Sequence, residues 1–383
     1  MSNLSRISIF LLLIPVAFLI GLGLIMLAST SPWAEPDHMQ YSHVKKQVIF
    51  LLIGLTFAAV SGFTPIRWIE RLSWPLFIVA CILLALCYVP GVQVVVNGSA
   101  RWIKFPVLGQ FQPSEASKIC VSVALSWWMV HIARAPRQYL KGYLYPFIVL
   151  ALPAGLIFME KDMGTTAVII GSAMLMLYVA GTRWWLLLAT AVLGVTVLIL
   201  YVNYAGGNRA ERLLAFQDLE ATKLDYGLQQ WRSLLAFANG GISGVGLGNG
   251  AEKHGYLPFA HTDFIFPIIG EELGLRATLA VIFCFVMITV AGTMIAQRTP
   301  DRFSALLAIG LTANIVIPGA MNIGVATALL PNTGLPLPFV SYGGSNLLFT
   351  LASVGILTGI YFRSPLPENH FVQPQRRKRI IRL

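Results

Sequence analysis

The side chains of this chain best suited to chemistry sit at the ends of apolar runs. Asp263 follows His261 and Thr262 and precedes the stretch FIFPII. A carboxylate at the mouth of a helix bundle, partly desolvated, has a raised pKa and can act as general base. The same position suits the cap of the next helix, with Thr262 or Asp263 capping. Glu115 and Lys118, in PSEASK, share one helix face at i,i+3 and can pair with each other or with an ion in a cavity. Pro113 and Ser114 mark the start of that helix, which sets Glu115 on its positive dipole end. Arg101 lies beside Trp102 and close to Lys104. Its planar fork suits phosphate; equally, Trp102 is an interfacial anchor and Arg101 a lipid-headgroup contact. Asp162 stands between Lys161 and Gly164, where a functional carboxylate and a turn ion pair with Lys161 are both open. Glu271 and Glu272 read as structural, one of them pairing with Arg276.

Gly240, Gly241, Gly244, Gly246, Gly248 and Gly250 precede Asp263. No GK[ST] follows them and no strand precedes them, so neither a phosphate loop nor a dinucleotide fingerprint fits. They are a backbone built for close approach to a substrate, or a flexible loop.

These residues need a scaffold, and composition says which kind. Of 383 residues 56% are hydrophobic and 11% charged, and the mean hydropathy is +0.73. That excludes an ordinary soluble domain. Repeated apolar runs of about 20 residues describe an all-α polytopic membrane protein, and no alternating segments of about 10 residues suggest a barrel. Ten spans are expected, at about 8–28, 45–64, 73–90, 114–132, 143–159, 165–181, 185–204, 264–296, 304–328 and 345–362. The eighth exceeds what a bilayer needs, so part of it should tilt or lie at the interface. Cys81, Cys87, Cys120 and Cys284 fall inside spans without metal-type spacing and read as packing residues.

Charge gives the orientation. With the N-terminus inside, fifteen of the 27 basic residues and only Glu70, Asp301 and Glu368 of the acidic ones face the cytoplasm, so the net charge of +11 lies on one face. Both termini are then cytoplasmic. The tail 364–383, with Arg376, Arg377, Lys378 and Arg379, suits anionic lipid rather than nucleic acid. The outer face carries loop 90–113, turn 160–165, loop 331–344 and a long loop, 205–266, between the seventh and eighth helices. A loop of that length is functional or disordered. Its apolar spacing at Leu213, Leu214 and Phe216, and at Trp231, Leu234, Leu235 and Phe237, suits amphipathic helices on the membrane surface. The chain otherwise reads as one integral membrane domain.

Taken together, NGSARWI, QPSEASK, EKDMGTT, GVGLGNG, YLPFAHTDFIFPIIGEELG and NIGVATALLPNTGLPLPFVSYGGSN resemble the SEDS family (shape, elongation, division and sporulation). They occur in the family's order from about residue 97 to 346, and IIGEELG, GLGNG and LPLPFVSYGG are closer to its division members than to its elongation members. The chain departs at Phe259, where an acidic residue is common, at Asn332-Thr333, which replaces a frequent Thr-Lys pair, and at Asn346, which replaces a Ser.

The resemblance implies a ten-helix peptidoglycan glycosyltransferase. Such an enzyme polymerises lipid II on the outer face of the bacterial cytoplasmic membrane at the division septum, beside a class B penicillin-binding protein and other division proteins. It implies Asp263 as the essential carboxylate and Arg101, Glu115, Lys118 and Asp162 as polar cavity residues, with His261, Thr262, Ser341 and Tyr342 in the substrate-binding motifs. Arg101 and Lys118 would face the leaving pyrophosphate, with a divalent cation (Mg or Mn) as a further expectation and no organic cofactor. A lipid II flippase and an elongation-type polymerase are the alternatives; a transporter would spread its charges across the membrane depth, and here they cluster at one face.

Overall fold

The computed structural model describes residues 3–34, 41–96, 99–105, 109–133, 136–205, 216 and 218–364. A helix covers each of the ten expected spans: α1 (Asn3–Ala34), α2 (Ser42–Phe63), α4 (Ser73–Leu86), α5 (Pro113–His131), α6 (Leu140–Met159), α7 (Met163–Ala180), α8 (Trp184–Ala205), α10 (Ile265–Arg298), α11 (Arg302–Ala326) and α12 (Gly344–Arg363). Short α3 (Ile66–Arg71) joins α2 to α4, and α9 (Leu228–Gly240) lies in the long loop. Among the described residues, seven helices are long and apolar enough to cross a membrane: α1, α2, α6, α7, α10, α11 and α12. The chain is an all-α polytopic membrane protein. α4 is shorter than a span. α5 fails the same test because it carries Ser114, Glu115, Ser117, Lys118, Ser122 and Ser126, and all six are buried. The most polar helix is thus an interior one, packed on α4, α7 and α11.

Small residues set the helix spacing, as they do where lipid supplies no hydrophobic drive. In the α2–α12 contact, a methyl added at Gly355 would lie 2.1 Å from the carbonyl of Ala58, and one at Gly359 2.5 Å from that of Gly62. The two backbones therefore touch, and α12 carries the end of loop 331–344 down against α2.

Two features depart from expectation. Loop 90–113 forms an antiparallel three-stranded sheet, β1 (Gln93–Val96), β2 (Ser99–Phe105) and β3 (Gly109–Phe111), in the order β1-β2-β3. The overlong eighth span is also broken. Gly274, at φ 77 and ψ −175, interrupts α10 and leaves a buried stub, 265–273, ahead of the long arm 275–298. Only glycine adopts that backbone readily. The excess length of the span is this stub.

In the long loop, α9 does not lie loosely on a surface. Its most buried residues are Gln230, Ser233, Ala236 and Gly240. Gln230 Nε2 donates to the carbonyls of Val325 (3.0 Å) and Leu330 (2.8 Å), and Ser233 Oγ to that of Ala326 (2.5 Å). The Ser233 bond satisfies the carbonyl of the last residue of α11. Trp231, Leu234, Leu235 and Phe237 are half-buried; Leu213, Leu214 and the basic tail lie outside the described residues.

Candidate active site

The site is built around segment 331–346, which touches every polar cluster singled out in the sequence. Ser341 Oγ donates to the carbonyl of Thr262 at 2.6 Å, and the backbone N–H of Tyr342 donates to the carbonyl of His261 at 3.0 Å. Asn322, on α11, donates to the carbonyls of both Asp263 and Leu335 at 2.7 Å. These bonds hold 261–263 by its backbone. A methyl added at Gly334 would lie 3.5 Å from Asp263 Oδ2, so the carboxylate faces that segment. Asp263 is half-buried. The capping alternative fails: α10 begins after Phe264 with no side-chain cap, and Thr262 Oγ1 donates to the carbonyl of Phe259 instead. Phe259 occupies the left-handed region at φ 60, which makes the turn that presents His261, Thr262 and Asp263.

Arg101 stands at the register shift of β2, between Ala100 (paired with Val95) and Trp102 (paired with Val94). A bulge of this kind re-aims a side chain. Its Nη2 donates to the carbonyl of Lys161 at 2.6 Å, and Nη1 is 3.9 Å from Asp162 Oδ2. Lys161 is itself left-handed, at φ 64. Asp162 caps α7, accepting from Thr165 N (3.0 Å) and Thr165 Oγ1 (2.9 Å). Gly164, one turn in, packs on Leu335 and the carbonyl of Thr333. Gly164, two residues after Asp162, and Asp263 thus lie against the same stretch, 333–335.

Glu115 and Lys118 do pair, at 2.9 Å, deep in the bundle. Asn346 Nδ2 donates to the same oxygen of Glu115, Oε2, at 3.0 Å, and the Gln112 backbone N–H to Ser345 Oγ at 3.1 Å. The Asn that replaces the family's usual Ser at 346 therefore adds a donor to the pair. Lys118 is only 5% exposed, whereas the Arg101 side chain is 21% exposed. Arg101 is the cation open to an anionic ligand.

Glu271 and Glu272 do not meet Arg276 as expected. Glu271, on the stub, accepts from the backbone N–H groups of Ala251 (3.0 Å) and Glu252 (3.2 Å). Glu272 accepts from Lys253 Nζ at 2.6 Å, Ser29 Oγ at 2.7 Å and Gly248 N at 3.0 Å. Lys253 completes the knot by donating to Ser29 Oγ and to the carbonyl of Gly248, both at 2.7 Å. This assigns the glycine cluster. Methyls added at Gly240 and Gly244 would lie 2.0 and 2.2 Å from the carbonyls of Gly270 and Glu272, and one at Gly250 2.9 Å from Glu271 Oε2. At these three positions the close approach is to the stub.

Lys253 is the residue that sequence reasoning missed, along with Gln47, Gln112, Asn322 and Glu160. Gln112 and Asn322 stood inside quoted motifs; Lys253 gave no signal, since its partner lies across a helix break. Glu160 is 2% exposed and lies beside Cys87. Among the described residues no three His, Cys, Asp or Glu side chains converge to hold a metal.

Comparison with known proteins places this geometry. The probable peptidoglycan glycosyltransferase FtsW of Pseudomonas fluorescens is 39% identical over 355 residues, covering 90% of this chain and 86% of the relative. A chain of a solved peptidoglycan synthase complex that coordinates polymerization and crosslinking superposes with a TM-score of 0.76 at 26% identity, covering 91% and 96% of the two chains. The rod shape determining protein RodA of Thermus thermophilus superposes at 0.68 with 26% identity, covering 93% and 97%. The sequence model of the cell cycle protein family FtsW/RodA/SpoVE matches residues 10–364, and the chain belongs to that family.

Proposed function

We propose that this chain is a division-type peptidoglycan glycosyltransferase that polymerises lipid II, with Asp263 as the general base. The supporting observation is that segment 333–335 packs on both Asp263 and the start of α7 at Gly164, the helix that Asp162, the ion-pair partner of Arg101, caps. A donor already activated as a lipid pyrophosphate needs no nucleotide, which suits chemistry outside the cytoplasm. Asp263 takes the proton of the acceptor hydroxyl as its oxygen bonds to the donor anomeric carbon. The bond from that carbon to the phosphate oxygen breaks, and the lipid pyrophosphate leaves with the electron pair. Arg101 stabilises the charge that develops there. Asp162 fixes Arg101, and Glu115–Lys118 braces the wall behind it through Asn346.

In this reading the turn 160–165, sheet 93–111 and loop 205–266 face outward and both termini lie in the cytoplasm. The enzyme works at the septum, beside a class B penicillin-binding protein that crosslinks the new strand. The test is polymerisation of lipid II by the chain purified with that partner. Asp263→Asn should make no glycan polymer; polymer at the wild-type rate would sink the assignment, and lipid II translocation by liposomes without polymer would replace it with a flippase.

A further inference from the structure

The backbone of 261–263 hangs from 341–342, so whatever holds 341–343 also places Asp263. That hold comes from α2. Gln47 Nε2 donates to the carbonyl of Ser341 at 3.2 Å, and its Oε1 accepts from Gly343 N at 3.3 Å. The one amide grips both sides of Tyr342. One turn earlier on the same face, His43 stands 4.9 Å from the His261 ring and 4.8 Å, edge-on, from the Tyr342 ring. His43 and Gln47 are 6% and 2% exposed, although α2 otherwise turns most of its surface outward. Gln47, Ser341 and Thr262 form a relay from helix to loop whose last step, Ser341 Oγ to the Thr262 carbonyl, is 2.6 Å.

We propose that His43 and Gln47 are positioning residues for the reaction. α2, which carries none of the family motifs quoted above, is a rigid rail that sets Asp263 against the acceptor hydroxyl. The proposal rests on the reading of Asp263 as base. It differs from ordinary packing in one respect: the grip acts directly on the backbone from which the base hangs and on no atom of Arg101, Glu115 or Lys118. Its loss should therefore slow the chemical step without weakening lipid II binding.

The test uses the full chain with its crosslinking partner, comparing His43→Ala, His43→Phe, Gln47→Met and Asp263→Asn for kcat, KM for lipid II and thermal unfolding. Misplacing a catalytic group by about 1 Å can cost up to about 100-fold, so kcat should fall by at least about 10-fold in His43→Ala and Gln47→Met with KM and Tm unchanged. His43→Phe keeps the ring contacts and should restore most of the rate. Gln47→Met preserves volume and carries the prediction alone if His43→Ala does not fold. Wild-type kcat in Gln47→Met, or parallel losses of kcat, KM and Tm that Phe at 43 does not rescue, would overturn the proposal. A fully active Asp263→Asn would overturn the base assignment beneath it; an inactive one beside a normal Gln47→Met would overturn this inference alone.

Discussion

Two buried ion pairs brace this site, and they are built differently. Glu115 and Lys118 are three residues apart on one helix, 2.9 Å from each other, with Asn346 as the second partner of the acid. Lys253 and Glu272 are 19 residues apart, 2.6 Å from each other, and joined by Ser29 from α1. The first pair forms as soon as its helix does. The second exists only when α1, the glycine loop and the stub 265–273 have assembled. A local pair can therefore tune a site, whereas a long-range pair certifies that the fold around it is complete. Glu160 is the third case, a buried carboxyl beside Cys87 that belongs to neither pair.

The contrast predicts effects of decreasing size. Lys253→Met should be the most damaging to the fold, because removing one member of a buried pair costs about 3–5 kcal/mol while two apolar groups of similar volume are often tolerated. Denaturant or thermal unfolding should show that loss, with Lys253→Met/Glu272→Leu recovering most of it; a double variant no better than the single would break the comparison. Lys118→Met leaves Glu115 its bond from Asn346, so stability should fall less and lipid II polymerisation more, by about 100-fold if the wall shifts by about 1 Å.

The effect at Glu160 appears only as a dependence on pH. Burial pushes its carboxyl up to about 8 from the ordinary 4.5; Cys87 and Arg101 pull it back in part, and Asp162 adds to the rise. Between those values the folded state holds a proton that the unfolded chain has released. Glu160 therefore contributes stability that is complete below pH 4.5 and lost as pH rises toward 8. Glu160→Gln should flatten that decline, and unfolding curves of wild type and variant that stay parallel from pH 5 to 8 would contradict it.

The same contrast explains what could be read from the sequence. Helices covered all ten expected spans because apolar runs are local, and the Glu115–Lys118 pair was legible because i,i+3 spacing is local. The sheet at 93–111 was not, since its strands are three to seven residues long and its register shift at Arg101 depends on cross-strand pairing. Arg276 looked like the partner of Glu271 or Glu272 because an unbroken helix would have placed them on one face. Gly274 ends that helix first, and a single glycine in a long apolar run does not announce a break. Gly240 and Gly244 likewise looked like substrate contacts because a chain read in order does not show the stub pressed against them.

The stub has a further consequence as a ruler. Asp263 and Glu272 sit nine positions apart, about two and a half turns of helix, with the base near one end and the anchored acid at the other. Each residue of helix turns the chain by about 100° and lengthens it by about 1.5 Å. Adding or removing one position between them would swing Glu272 away from Lys253 or Asp263 away from Gly334, and no side-chain repacking could satisfy both. Length between these two carboxylates is thus under a constraint separate from composition: the intervening FIFPIIGE can exchange apolar residues, but it cannot change its count.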